Sequence, residues 1–378
     1  MTDSAIYLDY NATTPLLPEV FDAMVPYLRD HFGNPSSAHE RGGVARAAVE
    51  RAREQMAALL ECDPDEILFT SGGTEANNLA IRGVTARSER RHVATSRIEH
   101  PAVAAPCAWL EAEGWRITRC GVDEDGKVLL SDMSQAIDEG TSLVTVMHSN
   151  SETGVLQPIR AIADAGHAVG ALVHSDAAQS VGKVPVRVRE LGVDLLSVAG
   201  HKLYAPKGVG ALYVRRGTSL VPLLLGAGHE RGMRPGTENV ASVVGLGVAC
   251  ERARLDMEAE AARVGELRRE LWQRLRDQVP GLALNGHATD RLPNTLSVRF
   301  PGVSGNALLA ACPEVAASTG SACHAGSESA PPVIVLMGVS RDEALGTVRL
   351  TLGRGTTADE VTRATGSLAR AWQTISRT

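Results

Sequence analysis

Aromatic side chains are scarce in this chain, at 3% of 378 residues, against an apolar fraction of 44%. Ala, Val and Leu must therefore fill the interior, in a composition that is ordinary for a globular protein and neither disordered nor fibrous. Long apolar runs are missing, which excludes a helical membrane span. The opening residues MTDSAIYLDYNATTP lack a basic start followed by an apolar stretch, so no secretory signal is read there. A net charge of −6, spread without a long single-sign block, excludes a bulk electrostatic grip on nucleic acid. No pair of cysteines has CxxC spacing: Cys62, Cys107, Cys120, Cys250, Cys312 and Cys323 are scattered. Reduced thiols in a cytoplasmic chain are expected, mostly as core fillers, with no metal site.

From about Leu16 to Leu225 short apolar runs alternate with helix-like stretches. The runs are EILFT (66–70), HVATS (92–96), LVTVM (143–147), ALVHS (171–175), DLLSV (194–198) and GALYV (210–214), and ARAAVERAREQMAALL (45–60) has helical spacing. This alternation predicts an α/β fold with a mainly parallel sheet flanked by helices, whose ligand groups sit on the loops after the strands. A long helix is expected between Glu238 and about Val279, as a spine between two lobes. Beyond Pro280, LSVRF (296–300) and VRLTL (348–352) with helices between them predict a smaller α+β lobe. The first fifteen residues fit either lobe.

The chemistry starts at AGHKLYAPKGVG (199–210), where Lys202 follows a buried run. One strand earlier, ALVHSDAAQS places Asp176 at a strand end, with Gln179 three residues on. A pyridine-based cofactor needs an amine to form an imine and a carboxylate to keep its ring nitrogen protonated. Lys202 and Asp176 supply that pair; taken singly, an Asp that caps a helix and an unrelated Lys is the blander reading. EILFTSGGTEANNLA (66–80) reads as strand, glycine turn and helix, which is how a backbone cradles a phosphate. It is not a P-loop, and no GxGxxG occurs. In SRIEHPAV (96–103), His100 follows a strand and precedes a helix with Pro101 at its start, where an imidazole can lie against a ring and relay protons.

Together YLDYNATTP, FGNPSSAH, FTSGGTEANNLA, EHPAV, HSDAAQSVGKVP, SVAGHKLYAPKGVGALYVR, RPGTENV and TGSACHAG resemble the cysteine desulfurases, over nearly the whole chain and in the family's order. These belong to the class V, fold type I family of enzymes that use pyridoxal 5'-phosphate. The resemblance implies a large cofactor-binding domain over 16–255 and a small domain of 1–15 with 256–378 that carries the catalytic cysteine loop. It matches Lys202 to the Schiff-base lysine, Asp176 to the ring-nitrogen partner, Gln179 to the ring-hydroxyl contact and His100 to the residue stacked on the ring. It matches Gly73, Thr74 and His201 to phosphate contacts, and Thr237 to a phosphate contact donated by the other subunit of a homodimer. Asn11, Asn150 and Arg349 match the residues that hold the substrate. Two positions depart from the family pattern: Ser151 interrupts its NNE, and Ala199 replaces the serine of its SGHK. A modest loss of phosphate affinity is expected from the second.

Cys323 sits in STGSACHAGSESAPP (318–332), a Ser-, Gly- and Ala-rich loop with His324 beside it, unlike Cys250 in VGLGVACER. The loop is similar to the SSGSAC segment of desulfurases, and its Cys–His junction also to the GAACH of selenocysteine lyases. The activity implied is conversion of L-cysteine to L-alanine, with sulfur left on Cys323 as a persulfide for an acceptor or scaffold protein. Selenocysteine lyase stays open as an alternative, as do a plain aminotransferase and, from another class, a non-catalytic scaffold that keeps the fold.

Overall fold

The computed structural model describes residues 5–320 and 329–377. Its strands are β1 (Ile6–Tyr7), β2 (Ile67–Thr70), β3 (His92–Ser96), β4 (Arg116–Cys120), β5 (Thr141–Thr145), β6 (Leu172–Asp176), β7 (Leu195–Ala199), β8 (Gly210–Val214), β9 (Ala283–Leu284), β10 (Thr295–Arg299), β11 (Val315–Ala316) and β12 (Thr347–Thr351). The central sheet has the order β2-β8-β7-β6-β5-β3-β4. From β4 to β7 its neighbours are parallel, and β8 runs antiparallel to both β7 and β2. Strands β3, β5 and β7 are buried along their whole length, because helices cover both faces and leave no solvent side for alternation.

A three-stranded antiparallel sheet, β12-β10-β9, carries a second apolar core built on Leu296, Val298, Phe300, Val348 and Leu350. Ile6 and Leu8 join this second core through the short β1–β11 pair. The predicted long helix spans Val240–Gln278 and is capped by Asn239, whose side chain accepts from the Ser242 N–H at 3.3 Å. Its first half buries Leu246 and Cys250 in the core beneath the central sheet, and its second half buries Leu271 and Leu275 in the other core. The packing is not wholly sequential: Val333, Ile334 and Met337 reach back to the first core.

One buried ion pair ties a later loop to β2. Glu230 accepts from Arg53 Nη1 at 2.9 Å and Nη2 at 2.7 Å, and from the Phe69 N–H at 2.9 Å. Both side chains are almost fully buried, so removing one leaves the other charge unpaired. Arg53→Met is expected to cost about 3–5 kcal/mol in unfolding free energy, measured by denaturant titration.

Candidate active site

The sheet delivers four backbone ends to one edge. Strands β3, β6 and β7 end at Ser96, Asp176 and Ala199. Strand β2 points the same way as β7, because β8 opposes both, and it ends at Thr70. The loops leaving these ends enclose a cavity of about 320 Å³, with Gly73, Thr74, Asn77, His100, Asp176, Gln179, His201 and Lys202 in its wall. That is large enough for a small-molecule group, and it lies where parallel sheets place their ligands.

Asp176 is buried, and two donors fix the plane of its carboxylate. Asn77 Nδ2 donates to Oδ2 at 2.7 Å, and the Ala178 N–H donates to Oδ1 at 2.9 Å. His100 caps the helix Pro101–Ala112, its Nδ1 accepting from the Ala102 N–H at 3.1 Å. A neutral ring therefore carries its proton on Nε2. Burial lowers the His100 pKa; Asp176 opposes the shift and Lys202 reinforces it.

The helix Gly73–Thr85 starts at the cavity wall. Gly72 precedes it at φ +149°, a conformation that favours glycine, and a Cβ on Gly73 would approach the Ala199 Cβ to 3.2 Å. First-turn N–H groups have no acceptor within their own helix, so this end suits an anion. His201 also lines the cavity, with Nδ1 at 3.2 Å from Thr13 Oγ1. Burial and the charges of Lys202, Lys207 and Lys183 push its pKa down to about 4, so it is a neutral ring at pH 7.

Lys202 Nζ donates to the Ala12 carbonyl at 2.8 Å and also to the Asn11 carbonyl. Burial, with help from Arg349 and against Asp9 and Asp176, pulls its pKa down to about 8. A neutral amine is thus within reach near neutral pH. Between pH 8 and the ordinary lysine value of 10.5 the unfolded chain holds a proton that the folded chain lacks. Folding stability therefore rises with pH across that window and bears the full burial cost below it. In cofactor-free protein, the stability of Lys202→Met relative to wild type should fall by about 1–3 kcal/mol between pH 8 and 10.5. Urea unfolding at several pH values measures this, and a flat difference would contradict the depressed pKa.

The remaining expected site residues sit around the cavity or beyond it. Gln179 Nε2 donates to the Asn11 carbonyl at 2.9 Å. The Asn11 side chain faces away, its Nδ2 donating to Thr295 Oγ1 at 3.0 Å and its Oδ1 accepting from Asn294 Nδ2 at 3.0 Å. Asn150 Oδ1 closes a turn by accepting from the Glu152 and Thr153 N–H groups, each at 2.9 Å. Arg349 pairs with Asp9 at 2.7 Å and donates to the Ser151 carbonyl at 3.0 Å. Thr237 is exposed and does not line the cavity of its own chain. Cys323 lies outside the described residues.

Three further groups belong to this region. Asn77 follows Gly73 by four residues, on the same helix face, and that spacing was its available signal. Glu99, beside His100 in EHPAV, is buried; its Oε1 accepts from Ser96 Oγ at 2.6 Å and from the Met147 N–H at 3.0 Å. Burial pushes its pKa up to about 8, so it is a neutral acid at pH 7. Lys183, in QSVGK, donates to Gln179.

An amine, a carboxylate, an imidazole and a helix N-terminus around one cavity at a sheet edge are groups that suit an imine-forming pyridine cofactor with a phosphate. The family model for class-V aminotransferases matches residues 6–364. The cysteine desulfurase IscS of Dictyoglomus turgidum is 44% identical over 360 residues, 94% of this chain and 91% of that protein. A human cysteine desulfurase is 44% identical over 361 residues, 94% of this chain and 79% of that one. A solved NifS-like protein superposes with a TM-score of 0.91 at 34% identity, covering 99% of this chain and 100% of the other. The chain belongs to the class-V aminotransferase family and, within it, to the cysteine desulfurases.

Proposed function

We propose that the protein converts L-cysteine to L-alanine with pyridoxal phosphate and leaves the sulfur on Cys323. The observation that carries this reading is the convergence of Lys202, Asp176, His100 and the Gly73–Thr85 N-terminus on one cavity. A solved structure of SspA in complex with cysteine, 36% identical with a TM-score of 0.81, covering 92% of this chain and 98% of that one, supports the substrate.

The residues fit the cofactor. The N–H groups of Gly73 and Thr74, with His201, would hold the phosphate, and Thr237 of a second subunit would complete that cradle in a homodimer. Asp176, held by Asn77, would keep the ring nitrogen protonated, Gln179 would serve the ring hydroxyl, and His100 would flank the ring. Bound there, pyridoxal phosphate supplies an electron sink for the substrate α-carbon. Lys202 Nζ takes and returns the α-proton, with His100 Nε2 as the second proton carrier. Arg349 exchanges Asp9 for the substrate carboxylate, which its planar fork binds bidentately, with Asn11 and Asn150 shaping that end of the site.

The described thiols support Cys323 as the nucleophile by being poor candidates themselves. Burial pushes the thiols of Cys62 and Cys107 up to about 12 and those of Cys120 and Cys312 up to about 11, and raises Cys250 as well. None of these is a thiolate at neutral pH, whereas the Ser- and Gly-rich loop around Cys323 has the composition of an accessible segment. The Cys323 thiolate attacks the sulfur of the substrate, so that an S–S bond forms and the C–S bond breaks. The electron pair stays with carbon, which is protonated on the way to alanine, and the persulfide waits on Cys323 for an acceptor protein.

We further read 16–255 as the cofactor-holding domain and 1–15 with 256–378 as the second; the core around Leu296 and Val348 lies within the latter, although Val333, Ile334 and Met337 of that stretch pack on the first. Among the described residues no helix is long and apolar enough to cross a membrane, and a cytoplasmic location accords with the reduced thiols. The test of function is incubation with L-cysteine and a thiol reductant. Equal amounts of sulfide and alanine are expected, and no sulfide would overturn the reading. Exclusive turnover of selenocysteine would move the protein to the lyases.

A further inference from the structure

Lys183 lies four residues beyond Gln179 and takes no part in the reaction described above. We propose that Lys183 is a positioning residue that locks the side-chain amide of Gln179 in the one orientation presenting an N–H to the cofactor cavity. The inference rests on the pyridoxal-phosphate reading.

Lys183 Nζ donates to Gln179 Oε1 at 3.1 Å and to Asn11 Oδ1 at 3.4 Å. On its other end the Gln179 amide donates from Nε2 to the Asn11 carbonyl at 2.9 Å. A main-chain carbonyl only accepts, and an ammonium only donates. Turning the amide over would set its N–H groups against Lys183 and its oxygen against the Asn11 oxygen, losing two hydrogen bonds and creating two repulsions. With Lys183 in place one orientation survives. In it one Nε2 hydrogen serves Asn11, and the other is free for a ligand in the cavity that Gln179 lines.

The same Asn11 carbonyl accepts from Lys202, so the chain Lys183–Gln179–Asn11–Lys202 ties the amide to the cofactor lysine. Lys183 is half-buried; burial, with Lys202 and then Arg349, depresses its pKa to about 7. Glu260, Arg354, Tyr10 and Tyr204 line the small cleft on its other side. The neutral amine can also accept, so the lock is firmest while Lys183 is protonated; once it is neutral, the acceptor-only Asn11 carbonyl still opposes the flipped amide.

The test uses purified holoenzyme of wild type, Lys183→Met, Lys183→Arg, Gln179→Ala and the Lys183→Met/Gln179→Ala double variant. Two quantities are read: the dissociation constant of pyridoxal phosphate and the pH midpoint of its visible absorption when bound. Lys183→Met should weaken binding by about 3–10-fold and move the midpoint by about half a unit or more. Lys183→Arg should recover most of both, and the double variant should go no further than Gln179→Ala. Effects that add in the double variant, or a Lys183→Met protein that matches wild type, overturn the positioning role while the cofactor reading stands. A wild type that binds no pyridoxal phosphate overturns both. Should Lys183→Met fail to fold, isotope-edited NMR of the wild-type Gln179 amide decides: two distinct, exchange-protected N–H signals support the lock, and an averaged, rapidly exchanging pair refutes it.

Discussion

Lys202→Ala is expected to lower alanine and sulfide release from L-cysteine by at least about 10³-fold, in a protein that still folds and still takes up pyridoxal phosphate without a covalent bond. Lys202 is the one lysine among the described residues lining the cavity. Lys183 sits behind Gln179, bound to its far oxygen, and cannot substitute. The variant retains the helix N-terminus at Gly73, the carboxylate of Asp176 pinned by Asn77, and the His100 ring. On the proposed reading those groups still hold the phosphate and the ring, whereas the α-proton loses its carrier. His100 alone does not replace it, because its Nδ1 lone pair is committed to the Ala102 N–H and the Nε2 of its neutral ring already carries a proton. Borohydride reduction followed by mass measurement of the chain checks the covalent link: wild type should gain the cofactor mass and Lys202→Ala should not. Turnover within tenfold of wild type would mean that another amine does the work.

How much of this site the sequence discloses depends on whether a group acts along the chain or across it. Asp176 and Lys202 are legible because each ends a buried apolar run, and the pairing of β6 with β7 makes those ends neighbours. The Gly72–Gly73 turn is legible for the same reason. Strand β5 begins at Thr141, two residues ahead of the apolar run LVTVM. Thr141 and Ser142 are polar but buried, and they satisfy themselves on the His92 ring and the His92 carbonyl. Strand β4, RITRC, escapes a hydrophobic pattern altogether. It is an edge strand whose Arg116 and Arg119 reach out to Asp138 and Glu111, a common way to protect an edge. The contacts of Asn77 with Asp176 and of Lys183 with Asn11 span 99 and 172 residues. No local spacing encodes them, since they exist only once the sheet has brought its loops to one side. The two-residue pair β1–β11 is likewise too short to leave a signal, yet it seats the N-terminal segment that supplies Asn11.

Cys323→Ala should separate cofactor chemistry from sulfur delivery. Its absorption spectrum with pyridoxal phosphate, and the change on adding L-cysteine, should match wild type, because every described group in the cavity wall is untouched. Sulfide release should fall by more than about 10²-fold. The other described thiols cannot take over. The nearest to ordinary, Cys120 and Cys312, are buried with pKa values near 11, so at pH 7 the thiolate fraction of each is about one in ten thousand. The buried sulfurs of Cys120 and Cys250 already rest against Met133 and Met56, at 3.9 and 3.7 Å, and neither cysteine lines the cavity. Mass spectrometry of wild type after L-cysteine without reductant should find one added sulfur, confined to the peptide that contains Cys323. Full sulfide production by Cys323→Ala would make the sulfur leave directly from the substrate, and the protein a lyase. Loss of the spectral change together with sulfide would instead give Cys323 a part in binding the substrate. Only an unchanged spectrum with lost sulfide fits a thiolate that acts after the cofactor has engaged L-cysteine.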